Sequence, residues 1–396
     1  MTLLSISTSF ILFISAAGAV QGFILATLLY FHPRSDRSVT LFLSLHIFTV
    51  SILMVAPLTH YFFDWQTIIF HLAFQFLIGP FLYLYVRSFK ERITWRKAMP
   101  HLLLFVIIFI SAVQSYSQWT KRYPTNGEVP REVLLDPYTY LRVAIRNVQT
   151  IIYFILARKE LISYQRSIHH LYSETTRINL NWVKWLLNGF LLIIIMLLIV
   201  AGLIFIYPEK FNVMILVVTA VLTPYIYIVT FKGISQTTLW QADTGKSRKI
   251  IEKQISEAQT IGATKKSETL AIKGLAGDRV PGILSNIILL MERDKLYQEP
   301  ELTLQALSDK LGIQSYQASQ AINDGLQKNF YDLVNGYRVE EAKRLLLDPR
   351  NSNYTILFVG FEAGFNSKTT FHTVFKKLTG LTPTEFREHQ RASMKS

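Results

Sequence analysis

Apolar residues fill the first two-thirds of the chain in long stretches and then thin abruptly. Runs of roughly 18 to 25 residues, the length that crosses a hydrocarbon layer about 30 Å thick as a helix, lie near Ser5–Phe31, Val39–Leu58, Ile68–Tyr85, His101–Ser117, Tyr138–Ala157, Trp182–Tyr207 and Phe211–Phe231. The fifth is the most polar of the seven. Buried helices of a soluble protein would also be apolar, but so many long runs joined by short polar loops favour membrane spans. From about Gly282 the spacing becomes that of short amphipathic helices broken by Gly, Asn and Pro, and no stretch alternates as a strand would. The pattern predicts an all-α protein with a seven-helix transmembrane bundle over 1–232, a linker over 233–281 and a second helical domain over 282–396.

In that second domain the pattern resolves into two helix pairs joined by a longer helix. The first pair is Leu304–Leu311, closed by Gly312, and a helix from Tyr316 to Asn323 after a short turn. The joining helix, Phe330–Leu346, sets Phe330, Leu333, Val334, Tyr337, Ala342, Leu345 and Leu346 along one stripe, and Asp348 and Pro349 stop it. The second pair is Ile356–Ala363, a left-handed turn at Gly364, and Lys368–Thr379 with Ser367 as its N-cap. If Phe371, Phe375 and Leu378 face inward, Lys368, Thr369, His372, Thr373 and Lys376 are left outward, with cations for phosphates and polar groups for base edges. The matching positions of the first pair are Tyr316, Gln317, Ser319, Gln320 and Asn323, with no Lys or Arg among them. A solvated polar face is the plainer reading of either helix alone; two such pairs on one connecting helix point to recognition of double-stranded DNA. The fragment from Gly282 to Ser396 is expected to fold and bind DNA alone.

Composition and charge sharpen the division. The 396 residues are 50% hydrophobic and only 17% charged, with a net charge of +14. Lys and Arg cluster in alternate loops: Arg34 and Arg37, then Arg87, Lys90, Arg92, Arg96 and Lys97, then Arg158, Lys159, Arg166 and Arg177. Because basic loops stay on the cytoplasmic side, the N-terminus is expected outside and everything after Lys232 in the cytoplasm, as in a multi-pass protein of a bacterial inner membrane. No Lys or Arg precedes the first run, so it reads as a retained span rather than a cleaved signal.

Within the spans, Arg142 and Arg146 stand one turn apart on the fifth run, Arg146 about 12 Å below its outer end. Arg142 can snorkel to the interface, whereas Arg146 needs partners: either carbonyls and polar side chains of the bundle, or an anionic ligand entering from outside, for which Arg146 with Arg142 above it would form part of a pocket. His46, His71 and Gln75 are expected to make interhelical hydrogen bonds.

Other signals carry little. A helical stretch at Lys249–Ala258 is too short for a convincing dimerising coil. Thr244-Gly245-Lys246-Ser247 imitates the end of a phosphate-binding loop but lacks its earlier glycine and strand. Cysteine is absent, and no spacing of His, Asp, Glu or Ser suggests a catalytic, cofactor or metal site.

Three segments, LTLQALSDKLGI, YRVEEAKRLLLDP and GFNSKTTFHTVFKKLTGLTPTEFR, lie in order between Leu302 and Arg387. Gly364, Phe365, Ser367, Phe371, Phe375, Lys376, Gly380, Pro383 and Arg387 fall in them as in the C-terminal domain of AraC/XylS-family transcription regulators, which this region resembles. The chain also resembles the subgroup that carries this domain behind several membrane spans. The resemblance implies two recognition helices entering successive major-groove segments about 34 Å apart. Thr373 departs from the family's usual Arg, and Gln317-Ala318 from its usual Tyr-Leu. The expectation is a membrane-embedded one-component regulator that senses an external or membrane signal and binds promoter DNA. Its partners would be duplex DNA and the lipid bilayer, with RNA polymerase, a second copy of the chain and an anionic signal ligand as candidates. The alternative is a receptor or transporter whose helical domain binds a protein.

Overall fold

The computed structural model describes residues 3–32, 37–63, 65–123, 129–175, 180–207, 210–240 and 279–393. The stretch Lys249–Ala258 and the string Thr244–Ser247 lie outside the described residues. Regular structure among them is helical, with one isolated antiparallel bridge between Tyr172 and Thr303. Contacts divide the chain into two compact units: Met1–Ser163 with Leu180–Arg248, and Tyr164–Asn179 with Lys249–Ser396. The second is discontinuous, because 164–179, placed by the hydropathy pattern in a loop of the membrane part, groups with the C-terminal helices.

The first unit contains α1 (Leu3–Phe31), α2 (Arg37–Met54), α3 (Ala56–Phe62), α4 (Ile68–Phe74), α5 (Ile78–Arg87), α6 (Trp95–Arg122), the single turn α7 (Arg131–Leu134), most of α8 (Pro137–Leu171), α9 (Asn181–Ile206) and α10 (Phe211–Trp240). Six segments among the described residues are long and apolar enough to span a membrane: Leu12–Phe31, Arg37–Phe62, Trp65–Arg87, Trp95–Arg122, Asn181–Ile206 and Val213–Gly233. The expected seventh, the start of α8, is not among them. Arg142, Arg146, Asn147 and Gln149 dilute its apolar character.

Close helix contact in this unit depends on small residues. A Cβ on Gly18 would stand 2.3 Å from Met54 Cε, and one on Gly22 would stand 2.0 Å from Ser51 Oγ, so this four-residue glycine spacing lets α1 lie against α2. The third apolar run is broken: a 3-10 turn, Gln75–Leu77, separates α4 from α5. Pro80 explains where the break falls. Lacking an N–H, it cannot serve the carbonyl of Phe76, which accepts instead from Gln149 Nε2 at 3.2 Å. His46 ties three helices together, with Nδ1 3.1 Å from Ile78 O and Nε2 2.9 Å from the Tyr225 hydroxyl. Since a carbonyl only accepts, Nδ1 carries the proton and Tyr225 donates to Nε2. His71 similarly reaches Ile52 O and Thr59 Oγ1, and Gln75 accepts from Arg146.

The second unit adds α11 (Arg279–Glu292), α12 (Leu304–Leu311), α13 (Ser315–Leu326), α14 (Phe330–Leu347), α15 (Ile356–Glu362), α16 (Lys368–Thr379) and α17 (Pro383–Ser393). Local caps set the limits. Thr303, Asn329, Thr355 and Ser367 each accept the backbone N–H three residues ahead, while Gly312 (φ 66°) and Gly380 (φ 81°) end α12 and α16 in the left-handed region. Val339, Ala342, Val359, Phe365, Phe371, Val374 and Phe375 form a core under the second helix pair. Gly364 (φ 94°) is needed twice over: its backbone is left-handed, and a Cβ would meet Tyr297 O at 2.5 Å.

Candidate nucleic-acid interface

The face of α16 follows from its packing. Phe371, Val374 and Phe375 are buried, which turns Lys368, Thr369, Thr373 and Lys376 to solvent and leaves His372 half-buried. Leu378, expected inward, is 52% exposed. It continues the stripe geometrically but stands in the last turn, past the end of the core, and Val374 fills the inner position instead. Lys377 is engaged with Asp332 at 3.2 Å, so Lys368 and Lys376 are the cations presented beside Thr369 and Thr373. Ser367 Oγ receives the Thr370 N–H at 3.1 Å and fixes the start of the helix.

On α13, Tyr316 (38% exposed) and Gln320 face solvent, while Gln317, Ser319 and Asn323 are half-buried. Two of these carry local duties. Gln317 Oε1 accepts the Gln314 N–H at 3.0 Å as half of a capping box, and Asn323 Nδ2 reaches Ser319 Oγ at 3.4 Å. Tyr316 and Gln320 are therefore the side chains of this helix with most freedom to meet another molecule.

Three residues that the sequence did not single out organise this unit. Arg338, on the apolar face of α14, is fully buried (0% exposed) and donates to the carbonyls of Tyr297 (2.8 Å) and Glu299 (2.7 Å) and to Ser173 Oγ (3.2 Å). Burial pulls its guanidinium down to about 10, opposed by Glu174 and Tyr331, so it remains a cation at neutral pH. Ser173, also 0% exposed, joins Leu302 through both its N–H (3.2 Å) and its hydroxyl (2.6 Å). Glu174 Oε1 accepts from the Thr370 hydroxyl at 3.0 Å. A visible signal existed for Arg338 alone: it stands four residues after Val334, on the stripe itself.

In the first unit, Arg146 is 8% exposed and lies on the wall of a cavity of about 200 Å³. It donates to Gln75 Oε1 and, at 3.1 and 2.7 Å, to Asn147 Oδ1, all neutral amide oxygens. The remaining lining is largely Val, Leu, Ile and Phe, with His71, Thr150 and Tyr225 among its polar members. Arg142 is not on this cavity. It borders a recess of about 30 Å³ and donates to Ser115 Oγ at 2.8 Å.

A family model described as a helix-turn-helix domain matches residues 307–389. Over 93 residues the chain is 30% identical to an uncharacterized HTH-type transcriptional regulator of Staphylococcus aureus (strain COL), covering 24% of this chain and 12% of that protein. No solved structure matches. The C-terminal helices are thus a DNA-binding module of the helix-turn-helix class. More narrowly, they are similar to the AraC-type domains of transcription regulators, and the chain that carries them holds several membrane-length apolar helices in its N-terminal part.

Proposed function

We propose that the protein is a one-component transcription regulator of a bacterial inner membrane, binding promoter DNA sequence-specifically in response to a signal received by its helical bundle. The observation that carries this is the face of α16. Lys368, Thr369, Thr373 and Lys376 are exposed on a capped helix whose opposite side is locked into a core, and a matched helix α13 precedes it. Such a face supplies phosphate attraction and base-edge contacts together. Counting the first part of α8 as a seventh span makes the number odd, so the termini lie on opposite sides, and the basic loops support an outside N-terminus with the DNA-binding unit in the cytoplasm. The test uses the full chain in lipid nanodiscs with genomic fragments. Recovery of a few sequences with affinity well above bulk DNA supports the reading, and binding that follows length and salt alone overturns it.

For the signal, the chemistry of the cavity favours an amphiphilic anion, a carboxylate or phosphate head on an apolar tail. A guanidinium held by neutral amides retains a charge to be matched, and the surrounding hydrocarbon surface suits a tail. The space exceeds the roughly 150 Å³ of apolar cavities that admit benzene-sized guests. Arg142 would serve only as a neighbour, through the small recess shared with Arg146.

A further inference from the structure

The segment that follows α8 does more than join two membrane helices. Tyr172 pairs with Thr303, the N-cap of α12. Ser173 O accepts from Asn335 Nδ2 at 2.9 Å on α14, and its hydroxyl oxygen takes Arg338 Nη2. Glu174 holds Thr370, in the first turn of α16. Just upstream, the His169 ring meets Tyr331 edge-on at 4.5 Å between centroids. Three successive residues therefore touch the start of the first helix pair, the connecting helix and the second recognition helix. Their other end is equally specific. The segment follows directly on α8, which runs without a break from Pro137 to Leu171 and carries Arg146 in its first part.

We propose that Tyr172–Thr175 is an intramolecular clamp that restrains DNA binding, and that α8 carries the signal which releases it. The restraint has two arms. Hydrogen bonds to Leu302, Asn335 and Arg338 tie the stretch leading into α12 and the connecting helix α14 to the clamp segment, restraining the first helix pair against the helix that joins the two pairs while that segment is seated. The Glu174 carboxylate places negative charge at the first turn of α16, beside Lys368 and Thr369, where backbone N–H groups and the helix dipole otherwise attract a DNA phosphate. Phosphate and Glu174 would compete for the same positive potential. A displacement of α8 that withdraws the segment removes both arms at once, which gives the signal a two-state element to act on.

The chain has no cysteine, so introduced pairs report cleanly. Directly paired residues of an antiparallel bridge have Cα atoms about 4.5–5.5 Å apart, within reach of a disulfide. In the full chain in nanodiscs, Tyr172→Cys with Thr303→Cys should cross-link under mild oxidant, weaken binding to a selected promoter fragment and regain it on reduction. Thr303→Cys alone controls for loss of the cap. Glu174→Gln keeps an acceptor for Thr370 but removes the charge, and should tighten binding about two- to fivefold at low salt, with the gain fading as salt rises. Failure of the pair to cross-link, or a cross-linked protein that binds as well as the reduced one, overturns the clamp. An unchanged Glu174→Gln at all salts overturns the electrostatic arm. The clamp rests on DNA binding by this unit, and the two failures separate: an unmodified protein that prefers no sequence rejects the functional reading whatever the cross-link shows.

Discussion

At the scale of single residues, chemistry assigns different parts to neighbours on α16. Lys376 is exposed in the last turn and Ser367 anchors the first. A lysine beside a phosphate acts mainly by releasing counterions, so Lys376→Ala should weaken binding to every duplex alike and flatten the salt dependence by about one ion. His372, half-buried on the same face as the exposed Thr369, Thr373 and Lys376, should behave otherwise on the proposed reading. His372→Ala is expected to change preference between sequences, by about 1 to 3 kcal/mol per misread base pair. Titrations against a small panel of sites at two salt concentrations separate the two, and equal scaling by both variants would remove the division of roles. In the bundle, Arg146→Gln should abolish the transcriptional response while leaving protein abundance and DNA affinity intact. Arg146→Lys should rescue poorly, because an ammonium lacks the planar two-pronged contact. Reporter output read against membrane abundance decides it: a normal response excludes the anion, and loss of the protein from the membrane makes Arg146 a structural bond to Gln75 and Asn147.

At the scale of elements, the sequence was most informative where a local interaction sets the boundary. Leu304–Leu311 and Lys368–Thr379 were read to the residue, since Gly312 and Ser367 mark ends by their own conformational chemistry, and in the structure Thr303 and Gly380 close the other two. Leu378 failed because periodicity gives a direction but not the extent of the core it faces. The Ile68–Tyr85 run gave no sign of its break, which hangs on Gln149 answering a carbonyl that Pro80 leaves open. Arg338 and Ser173 were illegible as a pair for a plainer reason: 165 positions separate them. That pair has an energetic corollary. A fragment of residues 279–393 lacks the Ser173 acceptors, leaving part of a buried guanidinium unsatisfied at a cost of about 1–3 kcal/mol. Such a fragment, first expected to suffice alone, should melt lower than one to which 164–179 is fused, and calorimetry on the two fragments checks it. Equal melting would show that water replaces Ser173 without loss.

At the scale of the whole molecule, the arrangement of Lys and Arg along the loops makes a topology that labelling can read. With no native cysteine, Arg122→Cys should react with an impermeant maleimide in intact cells, and Arg92→Cys only after the membrane is opened. The reverse pattern would put the DNA-binding unit on the wrong side for its substrate and end the proposed function. A discontinuous second unit has another implication, for how the regulator meets its gene. Many membrane-held factors could be set free by a protease cutting the tether. Here a cut between 241 and 278 would leave 164–179 behind on α8, and the liberated piece would go without the residues that satisfy Arg338. By the proposed clamp that piece would be unrestrained but less stable, whereas the intact chain would meet its promoter at the membrane. On the proposed function, output from the intact chain should then depend on where in the cell a promoter sits as well as on its sequence.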